Sequence, residues 1–474
     1  MHEIIGTKVF SLEDQTRFAK LSGDVNPMHI DPIIARRTLA GSVVVHGVHS
    51  LLWCLECIAS SKLLTCNALN LRVSFDTFVP VGVPVEAILT SHDDAHLRAE
   101  IRVEGVLAVT MMLTFGQAEL AEASPRIGKL IDTSEPMDVP FEDVEGYFGR
   151  VACTMSPETI ARAFPSVARL LGVFRLSGLI CLTRLVGRVC PGLHSVFNGL
   201  SLRANKQDSI ADMCFRVNRA DTRYRRVAQD VWGCGWIGTI TSSFRPAPTS
   251  QPSLQELMQF VKPTEFSGTT SLIIGGSRGL GQLTAKIILA GGGKVIITYA
   301  VGKTDADALV TEAISWGRTC EAIAYNVQQD SAVQLSVLSE LPRYIYYFAT
   351  PAIFGQRSLF FSPARFMGFN EFYVSGFYNL VTTCTRLRPE GIDIFYPSSV
   401  SLDARPAHMT EYTMSKAAAE ILCTDINAQM PKVRVLVRRL PRLPTDQTAT
   451  IREVETDDPV MTMLPIIRAI TVAG

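Results

Sequence analysis

Two stretches of this 474-residue chain concentrate side chains that can move protons. The first, FAKLSGDVNPMHIDPIIA from Phe18 to Ala35, gathers Asp24, Asn26, His29 and Asp31 around one proline. A loop that holds a carboxylate and an imidazole five residues apart offers an acid and a base on one side of a turn. Adding or removing water across a double bond requires such a pair, one group for the proton of water and one for the proton at carbon two. The same residues also suit a plain turn with Asx-type capping and a loop histidine satisfied by its neighbours. The segment VVVHGVHS adds a second element, because Gly47 opens an apolar helix whose free N–H groups and positive dipole end can hold a developing thioester enolate.

The second stretch lies in the C-terminal part. LIIGGSRGLGQLTA sets Gly275, Gly279 and Gly281, with Ser277 and Arg278 in the turn, between a predicted strand and a predicted helix. Glycines there permit a tight turn and close approach of the backbone to a pyrophosphate, which the helix N-terminus then stabilises. Downstream, YTMSK supplies Tyr412 and Lys416 one helical turn apart and on one face. An ammonium beside a phenol lowers the phenol pKa towards neutrality, making Tyr412 a proton donor for a carbonyl that receives hydride. Ser399, thirteen residues earlier at the end of IDIFYPSS, can hydrogen-bond the same carbonyl.

LSGDVNPMHID followed by VHG resembles the MaoC-like (R)-specific enoyl-thioester hydratase/dehydratase signature over roughly residues 1–120. The resemblance implies Asp24 and His29 as the catalytic dyad, Asn26 as the residue that orders the loop, and the Gly47 amide as the contact to the thioester oxygen. It is closest in kind to two-hot-dog members in which one copy keeps the catalytic residues. The second copy lacks Asp-x-Asn-Pro-x-His and is expected to widen the acyl tunnel or complete the fold. His194 is expected to be structural.

Residues 268 to about 450 are similar to the short-chain dehydrogenase/reductase family. That similarity implies Ser399 as substrate orienter, Tyr412 as general acid, and Lys416 as pKa tuner and ribose ligand. Asn326 stands where the family usually has an aspartate near adenine. The family's Asn-Ala-Gly segment reads ATPA, Ala349 to Ala352, Tyr373 occupies the position that often carries a relay asparagine, and Arg442 follows Pro441 where a glycine is usual. The second strand, KVIITYAVGK, ends without an acidic residue for an unphosphorylated ribose, while Arg278 and Lys303 lie near. NADPH is therefore expected as cofactor rather than NADH.

These residues need elements to place them. Gly47 to Ile58 is apolar nearly all round, so it predicts a helix buried on most of its surface. LRVSFD (71–76), LRAEIRV (97–103) and VLAVTMMLTF alternate as half-buried strands do. The order returns in LSGLICLTRLVGRVCPGLHSVFNGLSLRA, MCFRV and VWGCGWIGTITSSF. An α+β double hot-dog N-terminal part is therefore expected, with units at 1–120 and 140–247. A Pro- and Ser-rich linker with one short helix is expected at 248–267. Residues 268–474 alternate strand and helix, which predicts an α/β Rossmann-type doubly wound parallel sheet.

Composition bounds the remaining classes. A chain this long is expected to split into roughly three units of about 150 residues. Its 47% apolar and 19% charged residues support a globular fold without disulfides or metal. Lys plus Arg balances Asp plus Glu at 45 each, which gives no electrostatic case for nucleic acid or an acidic membrane. The opening MHEIIGTKVF has no secretory pattern and no apolar run spans a bilayer, so secretion and insertion are not expected. Eleven scattered cysteines suit a reducing, cytoplasmic compartment, and Cys54 and Cys57 are read as core packing with no metal site.

The combined expectation is a bifunctional enzyme, a 3-hydroxyacyl-thioester dehydratase or enoyl hydratase plus an NADPH-dependent 3-oxoacyl-thioester reductase. Its partners would be an acyl-CoA or acyl-carrier-protein thioester and further copies of the chain, with no nucleic acid and no membrane. Either direction of reaction is open. An alternative keeps one active half and makes the other a nucleotide-binding or assembly scaffold.

Overall fold

The computed structural model describes all residues except 1–2, 62–67, 116–126, 154, 206–209, 355–359, 453 and 472–474. The expected unit boundary near residue 120 lies outside the described residues. The chain divides into two compact units, one built from Met1–Ala247 with two short later pieces, the other from the rest of Pro248–Gly474.

The first unit is organised by the helix Gly47–Ser60, whose Val48, Leu51, Leu52, Cys54, Leu55 and Ile58 are at most 1% exposed. A helix this apolar must be covered on most sides. The cover comes from β1 (Glu3–Val9), β2 (Ala68–Phe75), β3 (Pro84–His92), β4 (His96–Val103) and β5 (Val106–Phe115), antiparallel in the order β1-β3-β4-β5-β2. Leu71, Val73, Val85, Ala87, Leu97, Ala99, Met111 and Leu113 point from these strands into the same core as the helix.

The second half of the unit carries β6 (Phe148–Val151), the helix Val173–Arg184 with a wider turn at Leu185–Val189, and then β7 (Ser195–Ala204), β8 (Met213–Asp221), β9 (Arg226–Gly233) and β10 (Trp236–Phe244). Its strands lie in the order β6-β8-β9-β10-β7, which repeats the first half element for element. Each half puts the strand before its long helix at the outer edge and the strand after it at the centre. There β2 and β7 pair antiparallel, with Asn70 opposite Arg203 and Val73 opposite Leu200, to give one ten-stranded sheet. The expected strand at 97–103 lies within β4, and that at 71–76 falls in β2 except for Asp76, which lies just past its end. β1 and β3 were not foreseen, because β1 is a mostly exposed edge and β3 uses Ala87 at a core position, which hides its alternation.

The second unit holds β11 (Thr270–Ile274), β12 (Lys294–Tyr299), β13 (Cys320–Ala324), β14 (Tyr344–Tyr347), β15 (Ile392–Ser399) and β16 (Val433–Leu440). All are parallel, in the order β13-β12-β11-β14-β15-β16. Leu272, Ile273 and Ile274 are buried in succession, as expected of a strand covered on both faces. The order reverses between β11 and β14, and in such sheets a crevice opens there, outside the carboxyl ends of the strands. Residues 248–267 are not a free linker. Leu254, Leu257, Val261 and Phe266 enter the core of this unit, and Phe266 packs where a Cβ on Gly291 would otherwise stand. Among the described residues no single helix is long and apolar enough to cross a membrane.

Candidate active sites

In the first unit the helix Leu12–Ser22 begins at a capping box between Ser11 and Asp14 and ends at Gly23, whose φ of 73° turns the chain inward. Asp24 follows and is 1% exposed. Asn26, also 1% exposed, caps the one-turn helix Pro27–Ile30 by accepting from the Met28 amide at 3.2 Å. His29 sits on that turn. Asp31 caps the next one, accepting from Ile33 N and Ile34 N, and so takes a structural part.

Asp24, His29 and His46 bring one donor atom each to within 4.8 Å of one another. His29 Nδ1 lies 2.8 Å from the Val44 carbonyl, which can only accept, so the ring proton is on Nδ1 and Nε2 is the basic nitrogen. Burial pushes the His29 pKa down, against the pull of Asp24 and the Val44 hydrogen bond, which keeps the ring neutral. The Asp24 carboxyl is pushed up by burial and held back by His29, by Thr183 and by the Asn26 amide. A proton acceptor and a carboxyl group at this separation can both touch one water molecule.

His46 is fully buried and stacks on His29 with ring centroids 3.9 Å apart. Its backbone N–H and Nδ1 both face Gln15 Oε1, at 3.1 and 3.0 Å, and its Nε2 lies 3.1 Å from the Asp24 carbonyl. Burial, with His29 and His49 beside it, drives its pKa well below the usual histidine range, so the single proton of a neutral ring serves only one of those oxygens. The same three side chains are spaced closely enough to hold a metal ion, although His46 Nε2 is already turned to Asp24. Gly47 is the first residue of the long helix, so its amide has no intrahelical acceptor. A Cβ there would meet the Phe75 ring at 3.1 Å, so the glycine keeps this helix end narrow.

The second half of the unit reaches the same loop. Thr183 Oγ1 is 2.6 Å from Asp24 Oδ2. Asn26 Nδ2 donates to the carbonyls of Gly187, Gly192 and Leu193 at 3.1–3.2 Å. Arg188 Nη1 donates to Gly23 O at 2.8 Å. Sequence reasoning assigned no role to Gln15, His46, Thr183, Gly187 or Arg188. His46 carried a signal in its place beside Gly47, whereas Thr183 and Gly187 carried none, being ordinary residues of an apolar helix. His194 pairs loosely with Asp138, Nε2 to Oδ1 3.6 Å.

In the second unit Gly275 has a φ of 79°, and a Cβ on it would lie 3.0 Å from Ala349 N. Its amide donates to Thr298 Oγ1 at 3.0 Å and the next one to Thr298 O, which fixes the loop above β12. A Cβ on Gly281 would stand 2.2 Å from Gly275 O, so the helix Gly279–Ala290 packs directly onto the loop. At Gly279, φ 58°, the nearest atom to such a Cβ is Thr445 Cγ2 at 4.0 Å. The helix N-terminus has no side-chain cap and opens beside this space, a cradle that fits a pyrophosphate. Ser277 is 7% exposed within the loop.

Arg278 is not a solvated surface charge. It pairs with Asp446 at 3.4 Å, and Asp446 in turn accepts from Thr249 N at 2.7 Å. Lys303 is exposed and pairs with Asp307 one turn on, at 2.7 Å. Asn326 Oδ1 accepts from Gln328 N, and its backbone is held by Gln334 on both sides.

Ser399 and Tyr412 come close enough for the Ser399 hydroxyl to hold the Tyr412 pKa down. The expected lowering of the Tyr412 pKa is not found. Burial between the rings of Phe369 and Tyr373 pushes it up, and the Ser399 hydroxyl only partly reverses this. Lys416 instead donates to Pro397 O at 2.7 Å and lies over the Tyr373 and Tyr396 rings, 3.9 and 4.8 Å from their centroids. Burial lowers its pKa to about 7. Tyr373 itself bonds Thr350 Oγ1 through its hydroxyl at 2.5 Å. Arg442 is used structurally, donating to Thr448 O.

Residues 7–111 match the MaoC like domain family. The chain is 35% identical over 81 residues to the 3-oxoacyl-[acyl-carrier-protein] reductase of Synechocystis sp., a match over 17% of this chain. It spans 33% of the length of that relative. Among solved structures, similarity extends to a gluconate 5-dehydrogenase from Burkholderia cenocepacia J2315 in complex with NADP and tartrate, at 14% identity over 44% of this chain and 92% of that one, TM-score 0.39. It extends also to the Pseudomonas aeruginosa RhlG/NADP complex, at 22% identity over 38% and 76%, TM-score 0.34. Residues 7–111 thus match a MaoC like domain, and an 81-residue stretch of the chain is similar to part of a 3-oxoacyl-[acyl-carrier-protein] reductase.

Proposed function

We propose that the chain acts on acyl thioesters at two separate sites, reducing a 3-oxoacyl thioester and dehydrating the resulting (R)-3-hydroxyacyl thioester to the trans-2-enoyl thioester, or running the hydration in reverse. The observation that carries this reading is the pairing of buried Asp24 with half-buried His29, whose Nδ1 is bonded to Val44 and whose Nε2 is the basic nitrogen. In hydration, a water held between them gives its proton to one while the other serves carbon two, and the Gly47 amide faces the thioester oxygen. We read the two matching half-sheets as two hot-dog units, 1–120 and 140–247, with the short-chain reductase unit over 268–474.

In that unit Ser399 orients the carbonyl and Tyr412 gives it a proton. A nicotinamide cofactor supplies hydride when bound, with Gly275, Ser277, Gly279 and Gly281 around its pyrophosphate, Asn326 and Ala349 along its adenine and ribose side, and Lys416 at the ribose. NADPH is favoured because β12 ends at Tyr299 and is followed by Ala300, with no carboxylate at either, and Arg278 lies in the glycine turn. We place the protein in the cytoplasm, where its ten described cysteines remain free thiols, and expect the thioester to arrive on CoA or on a carrier protein.

The test is a panel of CoA- and carrier-linked enoyl and 3-oxoacyl substrates assayed with NADPH and NADH. Asp24→Asn should abolish hydration and spare NADPH oxidation; loss of both, or of neither, would refute two separate sites. The packing of Lys416 against Tyr373 and Pro397 favours a second reading in which the reductase unit binds nucleotide as a scaffold. Tight NADPH binding with no turnover on any 3-oxoacyl thioester would decide for it.

A further inference from the structure

The second half of the first unit lacks the Asp-x-Asn-Pro-x-His motif, yet Thr183 and Gly187, one turn apart, close over Asp24. Asp24 Oδ2 lies 2.6 Å from Thr183 Oγ1, both groups being at most 4% exposed. Thr183 stands on the helix Val173–Arg184, whose C-terminal half from Gly178 onward is buried, with Leu179, Ile180 and Leu182 at 0% exposure. Its hydroxyl is therefore delivered by a rigid element rather than by a loop. Gly187 follows in the wider turn Leu185–Val189, and a Cβ there would stand 2.2 Å from Asp24 Oδ1 and 2.5 Å from Oδ2. Only a glycine leaves room for the carboxyl group.

A carboxyl group taken out of water is driven towards its neutral form, and a donor held on one oxygen by a buried helix favours the ionised form. Charge-assisted bonds of this kind are stronger than neutral ones. Asp24 receives two of them, from the Asn26 amide within its own loop and from Thr183 across the unit. The first orients the loop. The second fixes which oxygen remains for water or substrate, because Oδ2 is engaged and Gly187 bars movement on that side.

We propose that Thr183 is a positioning residue for Asp24, so that the half without the catalytic motif completes the hydratase site by fixing the aim of its carboxyl group. This rests on the reading of Asp24 as a catalytic group. Thr183→Val, close in shape, removes the donor. Hydration kcat should fall roughly tenfold or more, as for loss of a hydrogen bond to a charged group, with KM little changed and the acid limb of the pH profile moved upward. Thr183→Ser should restore both. Gly187→Ala should lose hydration while urea unfolding stays cooperative.

A second measurement is independent of turnover. In protein labelled at aspartate carboxyl carbons, the Asp24 resonance, assigned by its absence in Asp24→Asn, should titrate at higher pH in Thr183→Val than in the parent and return in Thr183→Ser. An unshifted titration, or a Ser variant no better than Val, overturns the role of Thr183. Full hydration by Asp24→Asn, or none by the parent on any enoyl thioester, refutes the hydratase reading instead, and the carboxyl titration still decides the Thr183–Asp24 coupling.

Discussion

The Lys416 ammonium lies 3.9 Å from the centroid of the Tyr373 ring, in a pocket closed by Tyr396 and the Pro397 carbonyl. A ring face attracts a cation, but less than water does, so burial dominates and brings the lysine pKa from 10.5 to about 7. The sign of the consequence is fixed by proton counting. Below pH 7 the folded and unfolded chains both hold this proton. From about 7 to 10.5 the unfolded chain alone holds it, so the stability contribution of this group rises with pH across that window. Lys416→Met should remove this rise, measured as urea midpoints at a series of pH values from 6 to 10 against the parent chain. Equal pH dependence in the two would show that the lysine titrates normally.

Tyr412 is held as a phenol by burial, with the Ser399 hydroxyl beside it, which suits a proton donor more than a base. Tyr412→Phe keeps the ring packing against Phe369 and Tyr373. It should lower NADPH oxidation with 3-oxoacyl thioesters by about 10²–10⁴-fold, the usual worth of a general acid, and leave enoyl hydration unchanged. Spectrophotometry at 340 nm, the standard NADPH band, reads the first and enoyl loss the second. Unimpaired reduction would assign the proton to another group.

The Asn26 side chain donates to the carbonyls of Gly187, Gly192 and Leu193 in the second half of the unit and accepts from the Met28 amide in its own loop. Asn26→Ala leaves these groups unpaired and should cost about 1–3 kcal/mol. Asn26→Asp should cost more, since a carboxylate would face three carbonyl oxygens. Denaturant midpoints rank the two, and the reverse order would show that the amide orientation is wrong.

Gly281 and Gly279 constrain the chain for different reasons. Gly281→Ala puts a Cβ into the Gly275 carbonyl, so the helix must lift off the loop at a cost of about 1–3 kcal/mol. NADPH affinity should fall at least several-fold. Gly279→Ala meets open space and suffers only from its φ of 58°, so the direct effect on packing should be smaller. Calorimetric titration with NADPH compares them.

The spacing of Asp24, His29 and His46 also calls for a metal test. Exhaustive treatment with EDTA should leave hydration intact if His29 Nε2 acts as a proton acceptor. Loss of hydration, restored by a divalent cation, would assign the three side chains to an ion.

Much of the site was legible because short-range spacing carried it. Asp24 with His29, and Tyr412 with Lys416, lie within five residues of each other, and local geometry alone keeps such pairs near. The buried helix at Gly47 and the βαβ alternation after residue 268 were legible for a similar reason, since each follows from a run of side chains with one periodicity. β1, β3, β6, β13 and β16 were missed; in β1, β3 and β13 an exposed edge or a small core residue leaves no such run.

The sequence by itself determined which side chains can carry acid–base chemistry, the glycine cradle, and the two types of sheet. Only the tertiary structure decided their electrostatic state. Thr183 reaches Asp24 across 159 positions, Lys416 is turned to a carbonyl and two rings rather than left beside a phenolate, and Arg278 finds Asp446 across 168. Burial and long-range partners set pKa values and hydrogen bonds, and neither is a property of a few consecutive residues.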